Sequence, residues 1–420
     1  MSLVITGARL ADGTTCDLAV VDGRFIDPAD APPGAERVDA DGLLALPGLV
    51  DLHTHLREPG REDAETIATG TRAAARGGYT AVFAMPNLDP ATDTAEAAQY
   101  VAQIGRRDGS CEVVPVGAVT KQRAGEELAE LGLMAGHGVR VFSDDGACVH
   151  DSLIMRRALT YLKPHDGVVA QHAQDPRLAG GRACCHESDY SGRLGLPAWP
   201  SIAESTIIAR DVQLAEFTGG RYHACHISTA ESVDVIRWAK QRGARVTAEV
   251  TPHHLYLDTP YVETFDTTFK VNPPLRTSEH VEAIREALAD GTIDAVATDH
   301  APHTVQDKDH PFDVALPGML GLEQSLAVVM EVMVATGRMD WPTLVERMSA
   351  GPARIGRLDH QGRRIAPGEP AHLVLVDPTR RATVDKDQTA SLARNNPYHG
   401  HDLPDPVELT LWGGQVTWRR

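Results

Sequence analysis

Between residues 48 and 365 the chain alternates strand-like and helix-like stretches, and that alternation leaves few folds open. Short runs suited to buried strands are 49–53, 80–84, 112–118, 139–142, 168–172, 222–226, 245–249 and 294–298. Helical patterns lie between most of them, at 62–76, 202–217, 230–242 and 278–289 among others. Eight strands in such an alternation predict an α/β protein built as a (β/α)8 TIM barrel. The alternative is an open doubly wound sheet, but no Gly-x-Gly-x-x-Gly follows a first strand.

Both ends of the chain read differently. Leu3-Val4-Ile5, Asp17–Val21 and Arg24-Phe25-Ile26 are short strands separated by Asp-Gly turns, and His372–Val376 and Val407–Leu411 repeat the pattern near the other end. Neither piece is long enough to bury a core alone. The expected organisation is therefore a barrel over 48–365 and one small β-sandwich domain made jointly from 1–47 and 366–420. No internal repeat or low-complexity tract interrupts this plan.

Composition removes several function classes. The formal charge of −18 argues against a nucleic-acid partner. No apolar run approaches the roughly 20 residues that span a bilayer, and no basic-then-apolar segment opens the chain as an export signal would. The six cysteines contain no metal-binding Cys-x-x-Cys, so a reduced cytoplasm is the expected setting.

Barrel enzymes place their chemistry at the C-terminal ends of the strands. Those ends carry His53 and His55, Asn87, Asp144-Asp145, His172, His226 and Asp299. Strand alternation puts His53, His55 and Arg57 on one face. A single His or Asp at a strand end is commonly a cap or a surface group. Imidazoles and carboxylates at five strand ends together are enough for two metal ions sharing a bridge, with zinc the best fit and manganese or iron the alternatives. Periodicity does not choose between Asp144 and Asp145.

These segments also resemble class I dihydroorotases of the cyclic amidohydrolase superfamily. The likeness is carried by Asp51-Leu52-His53-Thr54-His55-Leu56-Arg57-Glu58-Pro59-Gly60, Met85-Pro86-Asn87 and Phe142-Ser143-Asp144-Asp145-Gly146. It continues in Cys225-His226-Ile227-Ser228-Thr229, Thr247–His254, Asn272-Pro273-Pro274-Leu275-Arg276 and Ala297-Thr298-Asp299-His300-Ala301-Pro302-His303. The resemblance implies two zinc ions per chain. His53, His55 and Asp299 would hold one, His172 and His226 the other, and Asp145 would bridge them. It further implies that Arg57, Asn87 and His303, with His55 beside them, receive the substrate carboxylate. Asn272 and the backbone at Pro317-Gly318 would contact the ring. Two departures from the family stand out: Pro317 replaces a commonly bulkier residue, and Gln174 stands where Glu is common. The reaction implied is reversible hydrolysis of the cyclic amide of dihydroorotate to N-carbamoyl-L-aspartate. Its nucleophile would be a hydroxide between the metals, with Asp299 as proton shuttle.

Two other readings compete. A hydantoinase or allantoinase would use a carbamylated lysine as bridge, and none is positioned for that at the fourth strand. An inactive scaffold for aspartate transcarbamoylase would be expected to have lost metal ligands, and all six are present. A small-molecule substrate, a homodimer and association with a transcarbamoylase are the partners this reading implies, with no membrane and no nucleic acid. The polar stretch 303–317 is expected to be a mobile lid. His253-His254 are expected to be a packed or hydrogen-bonded pair. His223 and Cys225 are expected to face away from His226, the first toward a helix and the second into the core.

Overall fold

The apolar run Leu43–Val50 does not form one strand. In the computed structural model, which describes residues 2–420, it divides at Gly48 into Leu44–Pro47 and Leu49–Thr54, which join different sheets. A side chain at Gly48 would drive its Cβ into the Thr80 side chain, so the crossing point admits only glycine.

The eight expected strands are all present, and most are shorter than the apolar runs. They are β1 (Leu49–Thr54), β2 (Tyr79–Ala84), β3 (Glu112–Pro115), β4 (Val141–Phe142), β5 (Val168–Gln171), β6 (Arg221–Ala224), β7 (Val246–Val250) and β8 (Ala295–Val296). Every pairing between them is parallel: β1, β2 and β3 form one sheet, and β4 to β8 form a second in chain order. Isolated parallel bridges link Gly117 to Phe142 and Thr54 to His300, at the seams between the two sheets.

Helices follow the strands. The pattern over 62–76 overstates the first, which runs Ile67–Arg76. Thr66 is its cap: the Thr66 hydroxyl accepts from the Thr69 amide (3.1 Å), and the Thr69 hydroxyl accepts from the Thr66 amide (3.0 Å). Further helices run Ala95–Asp108, Ser152–Leu162, Ile202–Thr218, Ala230–Gln241 and Ser278–Asp290. Leu49, Val82, Val113, Val169, Tyr222, Val246 and Val296 turn outward into the large core between strands and helices. Val50, Leu52, Ala81, Phe83, Val116, Val141, Val168, Ala170, Cys225 and Ala295 form a separate cluster with Ala353 and Ile355. Buried on both faces, the strands read as continuous apolar runs.

The two chain ends share an eight-stranded sheet, in which Leu44–Pro47 runs antiparallel to Leu373–Val376. Its own cluster, with Leu3, Ile5, Val20, Phe25, Leu373, Leu375, Leu409 and Leu411, draws on both ends of the sequence. One part of the C-terminal segment leaves this sheet and packs beside β1 and β8. Ser391 and the Leu392 amide bond to the buried Glu65, and Asn395 donates to the Ala301 and Gly318 carbonyls (2.9 and 3.1 Å).

Candidate active site

The strand ends converge because the backbone leaves regular β geometry there. Val50 and Leu52 point inward, so strict alternation would send His53 outward; instead the β1–β2 register slips between Asp51 and Thr54. Asp51 fastens this irregular end, accepting from the His53 amide (3.0 Å), the Thr298 amide (3.0 Å) and the Thr298 hydroxyl (2.5 Å). Arg57, His226 and Asp299 take positive φ values of 62°, 32° and 46°, a conformation costly for non-glycine residues and concentrated at functional sites.

Asp145 stands at the centre. Its Oδ1 has no hydrogen-bond partner among the described residues, yet His53 Nε2 lies 3.3 Å away and His172 Nδ1 and His226 Nε2 lie 3.5 Å away. Its Oδ2 is 3.4 Å from His55 Nε2. Asp299 Oδ1 is 3.0 Å from His55 Nε2 and 3.6 Å from His53 Nε2. His172 Nδ1 and His226 Nε2 are 2.9 Å apart. All six side chains are buried. Burial opposes ionisation of Asp145 and Asp299, but the imidazoles around them outweigh it and hold both carboxyls below the usual range. Asp144 is engaged elsewhere, accepting from the Val119 and Thr120 amides (2.9 and 3.0 Å) and from the Thr120 hydroxyl.

A cavity of about 210 Å³ opens beside this cluster and is lined by His55, Arg57, Asn87, Asp145, His172, His226, Asn272, Asp299, Ala301, His303 and the Pro317-Gly318 backbone. Arg57 forms no ion pair among the described residues; its Nε donates to the Pro302 carbonyl (3.1 Å), and burial pushes it down to about 10. Burial, with Arg57 adjacent, pushes His303 down to about 3, so its ring is neutral. His303 Nε2 donates to the Pro317 carbonyl (2.8 Å). A Cβ at Gly318 would lie 2.7 Å from His303 Nε2, so the backbone can approach there only as glycine. Asn272, which lines the cavity, has its Oδ1 buried without a partner among the described residues.

Several side chains sit otherwise than strand alternation suggests. His223 does not face a helix: its Nε2 binds Glu249 Oε2 (2.9 Å), and Glu249 Oε1 binds His53 Nδ1 (2.8 Å). Cys225 is core, as its apolar surroundings suggest, but its sulfur also lies within ligand distance of His53 and Glu249. Both follow from the turn at His226, which breaks the alternation. His254 bonds Thr251 Oγ1 and the Pro273 carbonyl, with the His253 ring packed 4.6 Å away. Sequence reasoning missed Glu249 and Asn395. The available signal for Glu249 was a lone acid inside the apolar run Val246–Val250. Asn395 gave none, because its partners lie 77 to 94 residues away.

A family model described as dihydro-orotase-like matches residues 42–232. A dihydroorotase of Streptomyces coelicolor is 55% identical over 99% of this chain and 97% of its own. One of Mycobacterium tuberculosis is 50% identical over 100% of this chain and 99% of its own. Among solved structures, the L-hydantoinase (dihydropyrimidinase) of Arthrobacter aurescens superposes with a TM-score of 0.88 at 25% identity, covering 99% of this chain and 96% of that one.

Proposed function

This chain belongs to the dihydroorotase family, and on that footing we propose that it hydrolyses the cyclic amide of dihydroorotate reversibly to N-carbamoyl-L-aspartate, in de novo pyrimidine biosynthesis. The observation that carries the reading is the convergence of four imidazoles on the Asp145 carboxylate, three of them on its unpartnered Oδ1, beside an arginine that forms no ion pair among the described residues. The eight parallel strands are read as one closed (β/α)8 barrel, supported by the bridges at both seams, with the terminal sheet as a separate small domain.

The donor set fits two divalent cations. Ligand atoms around a tetrahedral zinc with bonds of about 2.0–2.1 Å stand about 3.3–3.4 Å apart. His172 Nδ1 and His226 Nε2 are 2.9 Å apart and each 3.5 Å from Asp145 Oδ1, Asp299 Oδ1 is 3.0 and 3.6 Å from His55 and His53, and the ligand atoms of His53, His55 and Asp299 all lie within 4.8 Å of one another. We assign His53, His55 and Asp299 to one ion, His172 and His226 to the other, and Asp145 to both. When bound, such ions would supply an acidified water and a Lewis acid for the amide carbonyl.

The protein's own groups do the rest. Arg57 offers a planar donor fork to the substrate carboxylate, and the Asn87 amide adds a donor. Neutral His303 and the Gly318 backbone close that end of the cavity. Asn272 Oδ1 accepts from a ring N–H. Asp299 takes a proton at its carboxylate from the attacking water and returns it to the leaving ring nitrogen. No lysine is among the residues that line the cavity beside Asp145, and the two nearest β4 in sequence are engaged elsewhere: Lys121 pairs with Glu127 (2.7 Å), and Lys163 Nζ donates to the Thr218 carbonyl.

The test is metal analysis of the purified protein, with ring-opening assays on dihydroorotate and on hydantoin. About two equivalents of zinc and a preference for dihydroorotate are expected. Metal-free protein with full activity, or a preference for hydantoin, would overturn the reading. The proposed setting is the cytoplasm. A homodimer, and docking to an aspartate transcarbamoylase, belong to the same proposal and are read by sedimentation alone and with that enzyme.

A further inference from the structure

We propose that Glu249, backed by His223, and Gln174 are positioning residues that set the tautomers of His53 and His172 and make the two metal positions unequal in affinity. The inference rests on the metal assignment above and concerns the groups behind the ligands.

His53 Nδ1 lies 2.8 Å from Glu249 Oε1. A carboxylate only accepts, so Nδ1 carries the proton and the Nε2 lone pair points at Asp145 and Asp299. Glu249 cannot swing away, because its other oxygen accepts from His223 Nε2 at 2.9 Å. The remaining His223 nitrogen accepts from the Thr247 hydroxyl at 2.8 Å. Thr247, His223, Glu249 and His53 thus form one connected set of hydrogen bonds that converges on the Glu249 carboxylate from both sides, and His223, Glu249 and His53 are each 2% exposed or less.

His172 is held differently. Its Nε2 donates to Gln174 Oε1 at 2.8 Å, leaving Nδ1 toward Asp145. Asn272 Nδ2 donates to the same amide oxygen at 2.8 Å. One neutral oxygen therefore serves two donors. Among the described residues His226 Nδ1 has no partner. A carboxylate behind an imidazole strengthens it as a donor to metal, and losing such a partner typically costs 10–100-fold in affinity. The position held by His53, His55 and Asp299 has that support, and the position held by His172 and His226 does not. Gln174 also ties a ring-contacting residue, Asn272, to a metal ligand through a single atom.

The experiment strips the protein with a chelator and titrates zinc against a chromophoric competitor, reading two dissociation constants without turnover. Wild type is expected to show one tight and one looser site. Glu249→Gln should weaken the tight site by about 10–100-fold and leave the looser one in place. Gln174→Glu should tighten the looser site by about tenfold or more and leave the tight one in place. Circular dichroism checks folding, and if Glu249→Gln does not fold, Gln174→Glu alone decides. Two equal sites in wild type, or two-site uptake that neither folded variant alters, overturns this proposal alone. Uptake of fewer than two zinc ions by wild type overturns the two-metal reading and this proposal with it.

Discussion

Replacing Arg57 by lysine isolates the carboxylate-binding half of the proposed site. The guanidinium spends Nε on the Pro302 carbonyl at 3.1 Å and lies 3.5 Å from His303, which leaves its other N–H groups for a ligand. Lysine keeps the charge but loses the planar fork and the Pro302 anchor. A charge-assisted hydrogen bond is worth about 1.5–3 kcal/mol, so KM for dihydroorotate should rise roughly 10- to 150-fold. The carboxylate is remote from the reacting carbonyl, so kcat should change much less, as expected for binding shared by ground and transition states. Steady-state assays with dihydroorotate and with dihydrouracil, the same ring without the carboxylate, make the test specific. The variant should lose its discrimination between the two while handling dihydrouracil much as wild type does. An unchanged KM for dihydroorotate, or an equal loss on both substrates, would refute the placement of Arg57.

Asp299→Asn should keep the fold, by circular dichroism, and lose about 10²–10⁴-fold in turnover; near-normal activity in a fully metallated sample would remove Asp299 as the proton carrier. Asp145→Ala should lose first the zinc assigned above to His172 and His226, since two imidazoles are too few for firm binding, and bicarbonate should affect neither metal content nor rate. The stretch 303–317, proposed as a lid, is pinned by Lys308 Nζ, which donates to the Thr267, Lys270 and Leu316 carbonyls (2.9, 3.2 and 2.8 Å). Proteolysis there should slow when a substrate analogue is bound, and equal rates would count against closure. Burial, with Lys270 nearby, pushes Lys308 down to about 7, so above that pH the unfolded chain binds more protons at this residue. Its contribution to stability should therefore rise between about pH 7 and 10, by at most about 1.4 kcal/mol per unit. Melting temperatures of wild type relative to Lys308→Met across that range check the sign.

The alternation of eight strands with helices was legible because hydrophobic periodicity is local: each run declares its own buried faces. Strand lengths were less legible, since an apolar run continues into turns that are buried but not hydrogen-bonded as strand. Val139–Phe142 shrinks to Val141–Phe142, and Leu43–Val50 splits between two sheets at a glycine. The polar residues at the strand ends were also visible, since imidazoles and carboxylates are conspicuous at the close of apolar runs.

What the sequence determined by itself was therefore the order of elements, the class of fold and the set of groups available for chemistry. The tertiary structure decided where those groups point. Alternation would have sent His53 and His226 outward, and only counting back from His226 sends His223 toward a helix; the slipped register of β1 and the positive φ values at Arg57, His226 and Asp299 bring the ends inward instead. Asp145 rather than Asp144 faces the imidazoles because the Val119 and Thr120 amides claim Asp144. Glu249 reaches His53 across 196 residues of sequence, and Asn395 arrives from the far end of the chain. These choices depend on partners brought together only when the strands close on one another, and no local pattern encodes such distances.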